Sequence, residues 1–293
     1  MKSETQLMIS IGGGFHATAL TENNRKQFAD SALQIVRKYS LDGIDIDWEF
    51  PAWGTAHHND KHTFTLLLKE MRETFDSYSR QSMGKEILLS AAVAAQYTII
   101  ERAYSAPQLI KYVNFLNLMT YDYNLFQWYW PFVGHNSPLS GPQWRVFTIF
   151  NTFNMQWSAN YWHRLGVDKS KIAVGVPTYG RRFRLALPWF TAPGSPALST
   201  SQDMTYSQIC EFLRADGTTA AFDRQSGAPF AYGNNHWLTY ESTQSAAQKA
   251  KWIRDEGFGG VMTFSLNADD FRGQCPDSRQ FAIHSAIKDA LQS

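Results

Sequence analysis

Six short runs of strand-forming residues, separated by helical patterns, constrain this chain more than any other feature. They are QLMISIGG (6–13), GIDIDWEF (43–50), ILLSAAVA (87–94), VNFLNLMTYD (113–122), KIAVGVPTY (171–179) and GGVMTFSL (259–266). Between the first three lie RKQFADSALQIVRKYS (25–40) and TFTLLLKEMRETFDSYS (63–79). The second of these places Phe64, Leu67, Leu68, Met71 and Phe75 on one stripe at helical spacing. Strands that alternate with helices pair in parallel, because each crossover helix returns the chain to the same end of the sheet. Apolar side chains on both strand faces fit a sheet covered on both sides. From about Arg181 to Asp255 the rhythm breaks into Pro, Gly, Ser and aromatic residues. That interval holds an edge-like strand, APFAYGNNHWLTY (228–240), and one helix, STQSAAQKAKWIRDEG (242–257). We read 181–255 as an α+β insertion before the last strand, and 1–180 with 256–293 as a (β/α) domain.

The second strand carries an unusual charge load. LDGIDIDWEFP (41–51) contains Asp42, Asp45, Asp47 and Glu49, with Ile44, Ile46 and Trp48 between them. Side chains alternate along a strand, so Asp45, Asp47 and Glu49 share one face and the apolar trio the other. Phe50-Pro51 ends the strand, leaving Glu49 at its C-terminal rim, where parallel barrels place their active sites. Three carboxylates at two-residue spacing cannot all ionise at low cost, so at least one should stay protonated. A protonated carboxyl at neutral pH is what general-acid catalysis needs. The same spacing could also ligate a hard cation or pair structurally. An EF-hand is excluded, since the segment is not a loop and lacks glycine at the sixth position.

Charge narrows the partners. With 27 basic and 26 acidic residues the net charge is +1, which argues against a nucleic-acid or anionic-membrane surface. No apolar run approaches the roughly 20 residues of a membrane span. The start, MKSETQLMISIGGG, leads from charge straight into a strand rather than through the apolar stretch of a secretion signal. Ten Trp, 13 Tyr and 20 Phe are many for this length; such a surplus is usually core, but flat rings also stack on sugar faces. Trp128 and Trp130 could be such platforms or simple loop packing. His57, His58 and His62 lack an evident carboxylate or cysteine partner set, so no metal is expected there. IGGGF resembles a phosphate loop only superficially. Spacing alone does not decide whether Cys210 and Cys275 pair.

DGIDIDWE resembles the D-x-x-D-x-D-x-E motif of the family-18 glycoside hydrolases, the chitinases and chitinase-like lectins. The resemblance continues in order along nearly the whole chain. Ser10-Ile11-Gly12-Gly13 resembles the S-x-G-G strand, and SAAVAA (90–95) and AYSAPQLIKYVNFLNLMTYDY (103–123) resemble the strands after it. GVPTYGRRF (175–183) and GFGGVMTFSLNADDF (257–271) resemble the last two. The resemblance implies a TIM-type (β/α)8 barrel with an α+β insertion, here beginning at the third strand and so lacking the first two units. It also implies hydrolysis of β-1,4-linked N-acetylglucosamine polymers by substrate-assisted, retaining catalysis, an exception to the two-carboxylate scheme. The alternative is a chitin- or glycan-binding lectin without turnover. Retention of Glu49, a position typically replaced in lectin-like relatives, favours the enzyme.

By the same resemblance Glu49 is the general acid. Asp47 orients the acetamido group, Asp45 shares its proton, and Tyr121 hydrogen-bonds the acetamido oxygen. Met119, Asp122, Tyr179, Arg181, Met262 and Phe264 shape and anchor the sugar, with Trp128 as a cleft platform, and Asp42 braces the strand start. Cys210, in a Y-x-x-I-C context, pairs with Cys275 after D-D-F, which implies an oxidising, extracellular setting. The expected partner is chitin or a chitooligosaccharide, met by a monomer without cofactor, metal, nucleic acid or membrane. Two departures weaken sugar grip. Phe264 stands where the family has Trp, and Gly14 replaces the Trp after S-x-G-G. Loss of two strands would leave exposed sheet edges.

Overall fold

The computed structural model describes residues 5–54, 56–141, 149–199, 202–275 and 279–293. They group into two compact units, Met1–Met119 with Tyr161–Ala173, and Thr120–Asn160 with Val174–Ser293.

In the first unit β1 (Met8–Gly12), β2 (Gly43–Asp47), β3 (Leu88–Ala94) and β4 (Phe115–Met119) lie side by side in that order, all parallel. The opening residues of β5 (Ile172–Pro177) come next in the sheet. Helices α1 (His16–Leu20) and α2 (Glu22–Tyr39) link β1 to β2, and α3 (Asp60–Ser82) links β2 to β3. Then α4 (Tyr97–Ala103) and α5 (Ala106–Leu109) lead to β4. The apolar stripe behaves as its spacing predicts: Phe64, Leu67, Leu68, Met71 and Phe75 of α3 are all fully or almost fully buried. Each such side chain contributes about 1.5–3 kcal/mol. Gly43 opens β2 because any Cβ there would lie 2.3 Å from the Leu88 carbonyl oxygen. The first strand is different. Among the described residues β1 pairs only with β2, and Leu7 and Ile9 are 61% and 39% exposed. An apolar, unpaired strand edge is a template for association between chains. Ile9→Lys is therefore expected to reduce concentration-dependent self-association severalfold, read by light scattering across a dilution series. An unchanged profile would show that this edge is not the contact.

The second unit holds the rest of β5, beside β11 (Gly260–Phe264), and a separate antiparallel sheet. That sheet has the order β7-β6-β10-β9-β8, formed by β6 (Gly180–Arg184), β7 (Gln202–Met204), β8 (Thr219–Asp223), β9 (Ala228–Gly233) and β10 (His236–Thr239). Val133, Phe183, Leu185, Ala197 and Trp237 form its core cluster. The helices are α6 (Met155–Arg164), whose last turn belongs to the first unit, α7 (Tyr206–Arg214), α8 (Thr243–Asp255) and α9 (Ala282–Gln292). The interval 181–255 is richer than its sequence suggests. APFAYGNNHWLTY is a hairpin rather than one strand, turning at Asn234 and Asn235, both with positive φ. Helix α7 was not anticipated, because its inward stripe is only Tyr206, Ile209 and Cys210. Its capping box of Thr205 and Gln208 was the available signal.

Cys210 of α7 and Cys275 form a disulfide with a Cα–Cα distance of 5.6 Å. The D-D-F motif holds the chain around it. Asp270 accepts from the Cys275 amide (2.7 Å) and from Ser207 Oγ (3.1 Å). Asp269 accepts from the amides of Ile283 and His284 in the first turn of α9. Among the described residues no helix is long and apolar enough to cross a membrane.

Candidate active site

The acidic strand places its carboxylates as alternation requires. Ile44 and Ile46 are fully buried, and Trp48 packs edge-on against Phe64 of α3, with ring centroids 5.6 Å apart. On the other face Asp45 is almost buried, Asp47 is half-buried and Glu49, just past the end of β2, is exposed. Asp42 does brace the strand start, accepting from the Leu7 amide at 2.7 Å.

Register supplies Asp45 with partners. Ser10, Asp45 and Ser90 sit opposite one another across β1, β2 and β3. Ser10 Oγ donates to Asp45 Oδ2 (2.8 Å), and Ser90 Oγ and Asn117 Nδ2 to Oδ1 (2.6 and 2.9 Å). Three strands thus converge on one carboxylate. Sequence reasoning did not assign these three donors a role, although a Ser in ILLSAAVA and an Asn in FLNLM are the polar interruptions of apolar strands. Asp47 is treated differently. Its Oδ1 is buried without a hydrogen-bond partner, and Gly12, opposite it on β1, adds no side chain. Burial, with the neighbouring charge of Asp45, pushes its carboxyl above the usual carboxylate range.

A sign follows for stability. A carboxyl whose folded pKa is raised contributes stability that is complete below its unfolded value of about 3.9 and is lost as pH rises through the folded pKa. Asp47→Asn, which never ionises, should therefore unfold at a higher temperature than the parent at pH 7. The gap should close below about pH 3.9, read by thermal melts across pH. A variant less stable at neutral pH would show that Asp47 is not held against its own ionisation.

Met119 ends β4 and is almost buried. In the second unit Asp122 forms the centre of a polar knot. Its Oδ1 accepts from Tyr179 Oη (2.5 Å), Arg181 Nε (2.8 Å) and the terminal guanidinium nitrogen Nη2 of Arg181 (2.6 Å). The other terminal nitrogen, Nη1, pairs with Asp203 at 2.5 Å, a residue the sequence did not single out. Burial, then the charge of Asp122, pushes the Tyr179 hydroxyl above the usual tyrosine range. Tyr121 donates to Met262 Sδ (3.9 Å) and stacks on Phe264 at 5.9 Å, while Tyr179 meets both rings edge-on. Phe264 is 56% exposed, so one ring face remains available.

The two tryptophans separate. Trp128 is 83% exposed, whereas Trp130 is half-buried against Phe132 at 5.2 Å. The histidines also take a definite place. His57 stacks on His16 at 3.8 Å, and His16 Nδ1 lies 2.6 Å from Asp60 Oδ1. Among the described residues no three His, Cys, Asp or Glu side chains are grouped to hold a metal ion.

Against known families the chain matches Glycosyl hydrolases family 18 over residues 1–269. The chain belongs to this family. It is 36% identical to a probable endochitinase of Caenorhabditis elegans over 292 residues, covering 94% of this chain and 46% of that protein. The chain thus spans less than half of that relative. Among solved structures it resembles an immunomodulatory active chitinase from Trichuris suis, with a TM-score of 0.91 and 29% identity over 98% of this chain and 80% of the other. It is equally similar to human YKL-39, described as a pseudo-chitinase with retained chitooligosaccharide-binding properties: TM-score 0.91, 29% identity, 98% and 81% coverage. The fold is therefore the TIM-type family-18 barrel fold, represented here by six parallel strands and the antiparallel insertion sheet.

Proposed function

We propose that this family-18 chain is a chitinase-like glycoside hydrolase that cleaves β-1,4-linked N-acetylglucosamine polymers by substrate-assisted, retaining catalysis. The observation that carries the reading is the graded acidic face of β2: Asp45 hydrogen-bonded from three strands, Asp47 pushed up by burial, Glu49 exposed at the rim. Glu49 protonates the glycosidic oxygen. The substrate's acetamido oxygen attacks the anomeric carbon as the bond to the leaving group breaks. Asp47 orients that acetamido group and offsets the positive charge of the oxazolinium; water then adds at the anomeric carbon, giving a proton back to the Glu49 carboxylate as the ring opens. The sugar-holding groups are Tyr121 for the acetamido oxygen, Asp122, Tyr179 and Arg181 as anchors, and Met262 and Phe264 as an apolar floor. Met119 lines the same sugar and Trp128 is a platform further out. Residues 1–180 and 256–293 are the barrel part of this design and 181–255 its insertion. The Cys210–Cys275 bond supports an extracellular setting.

The similarity to YKL-39, a pseudo-chitinase with retained chitooligosaccharide-binding properties, favours binding without turnover as the second reading. Phe264, with a smaller stacking face than Trp, weakens the sugar grip under either reading. Anomeric NMR on chitotriose decides between them. Retained configuration in the first product is expected. An inverted product would rule out substrate assistance, and binding with no product would leave the lectin reading.

A further inference from the structure

The second unit buries an ion pair that the chemistry above does not use. Lys249 of α8 and Glu241, just before α8, are 0% and 3% exposed, and Lys249 Nζ donates to Glu241 Oε1. Taking two charges out of water costs more than their attraction returns unless their remaining hydrogens and lone pairs are satisfied. Here they are. Ser245 Oγ donates to Glu241 Oε2 at 2.7 Å. Lys249 Nζ gives its other bonds to one residue, donating to the carbonyl oxygen of Ser137 and to Ser137 Oγ (3.0 Å). Burial pushes the glutamate carboxyl up and the lysine ammonium down, and the attraction between them opposes both shifts.

Ser137 leads directly to the segment that carries Tyr121 and Asp122. Ser137 Oγ donates to the Thr120 carbonyl at 2.6 Å. Its neighbour Asn136 accepts twice, from the Tyr123 amide on its carbonyl oxygen and from the Asp122 amide on Oδ1, each at 3.1 Å. The Asn136 amide is itself held by Thr239 Oγ1 at 3.0 Å. Residues 120–123 are thus fastened at three points to residues 136–137. Asp122 needs the fastening, because its φ of 58° lies in the left-handed region, which a non-glycine residue keeps only where its surroundings enforce it.

We propose that Glu241 and Lys249 are positioning residues: by gripping Ser137 they set the Asn136 clamp that holds Tyr121 and Asp122 in their sugar-binding arrangement. The consequence for saccharide rests on the proposed function above, whereas the clamp itself does not. A pair that only stabilised the fold would not need to commit two of three ammonium donors to the residue beside the clamp.

Two readouts on the full chain separate these levels. The first is amide hydrogen exchange at Asp122 and Tyr123, without sugar. The second is chitotetraose affinity by tryptophan fluorescence, with Asp122→Ala as control. The variants are Glu241→Gln/Lys249→Met, which removes the pair without stranding a charge, and Ser137→Ala, which removes the hydroxyl link to Thr120 while leaving Lys249 paired with Glu241 and with the Ser137 carbonyl, and serves if the double variant does not fold. Faster exchange confined to 120–123, with affinity lowered on the order of tenfold and non-additively with Asp122→Ala, is expected. Folded variants with parent-like exchange at both amides would overturn the proposal. So would an affinity loss that simply adds to that of Asp122→Ala, the result of a merely structural role. If Asp122→Ala binds chitotetraose like the parent, the sugar-holding assignment fails, and exchange alone still decides whether the pair sets the clamp.

Discussion

Glu49→Gln is expected to lower chitooligosaccharide hydrolysis by about 10²- to 10⁴-fold, the usual contribution of a positioned general acid, while leaving affinity within about twofold. The amide has the size of the carboxyl and can still hydrogen-bond, but it has no acidic proton to deliver to the leaving oxygen. The position explains why the loss should be confined to turnover. Glu49 lies past the last residue of β2 and is exposed, outside the buried face built by Ile44, Ile46 and Trp48. Steady-state kinetics on a fluorogenic chitobioside, with binding of chitotetraose measured in parallel, checks it. A Glu49→Gln protein that turns over like the parent would remove Glu49 from the acid role. One that loses affinity and turnover together would make it a binding residue instead.

Replacing both cysteines by serine should lower folding free energy by about 4 kcal/mol, in the chain-entropy account of a cross-link that closes 65 residues. The bond joins α7, a helix of nine residues, to the stretch that follows D-D-F. Short helices have little stability of their own, so α7 depends on what it is tied to. Both sulfur-bearing residues are buried, at 5% and 2% exposure. Urea unfolding of Cys210→Ser/Cys275→Ser against the parent reads the difference, and the parent in reducing agent should move the same way. A change under about 1 kcal/mol would mean that the surrounding hydrogen bonds of Asp269 and Asp270 already hold this region without the cross-link.

How much of this was legible can be followed residue by residue. All six parallel strands fall within the apolar runs read from the chain, and the α3 stripe is buried where its spacing put it. Both depend on local periodicity, which a single sequence carries in full. The acidic face of β2 was equally legible, because alternation along a strand is a property of the backbone. The cysteine pair came only from family resemblance, since 65 residues of separation say nothing about proximity.

What the tertiary structure alone decided is which polar groups meet. Ser10, Ser90 and Asn117 are 35, 45 and 72 residues from Asp45 in sequence and become its neighbours only through the register of four strands. Arg181 pairs with Asp122 and Asp203, and Lys249 reaches Ser137 across 112 positions, through folding of the whole unit. The sequence by itself determined the six parallel strands, the α3 stripe, the family and the acids, because each is written in short-range pattern. Partner choice, burial and the resulting rise in the Asp47 pKa are sums over distant contacts, so they exist only once the chain has folded.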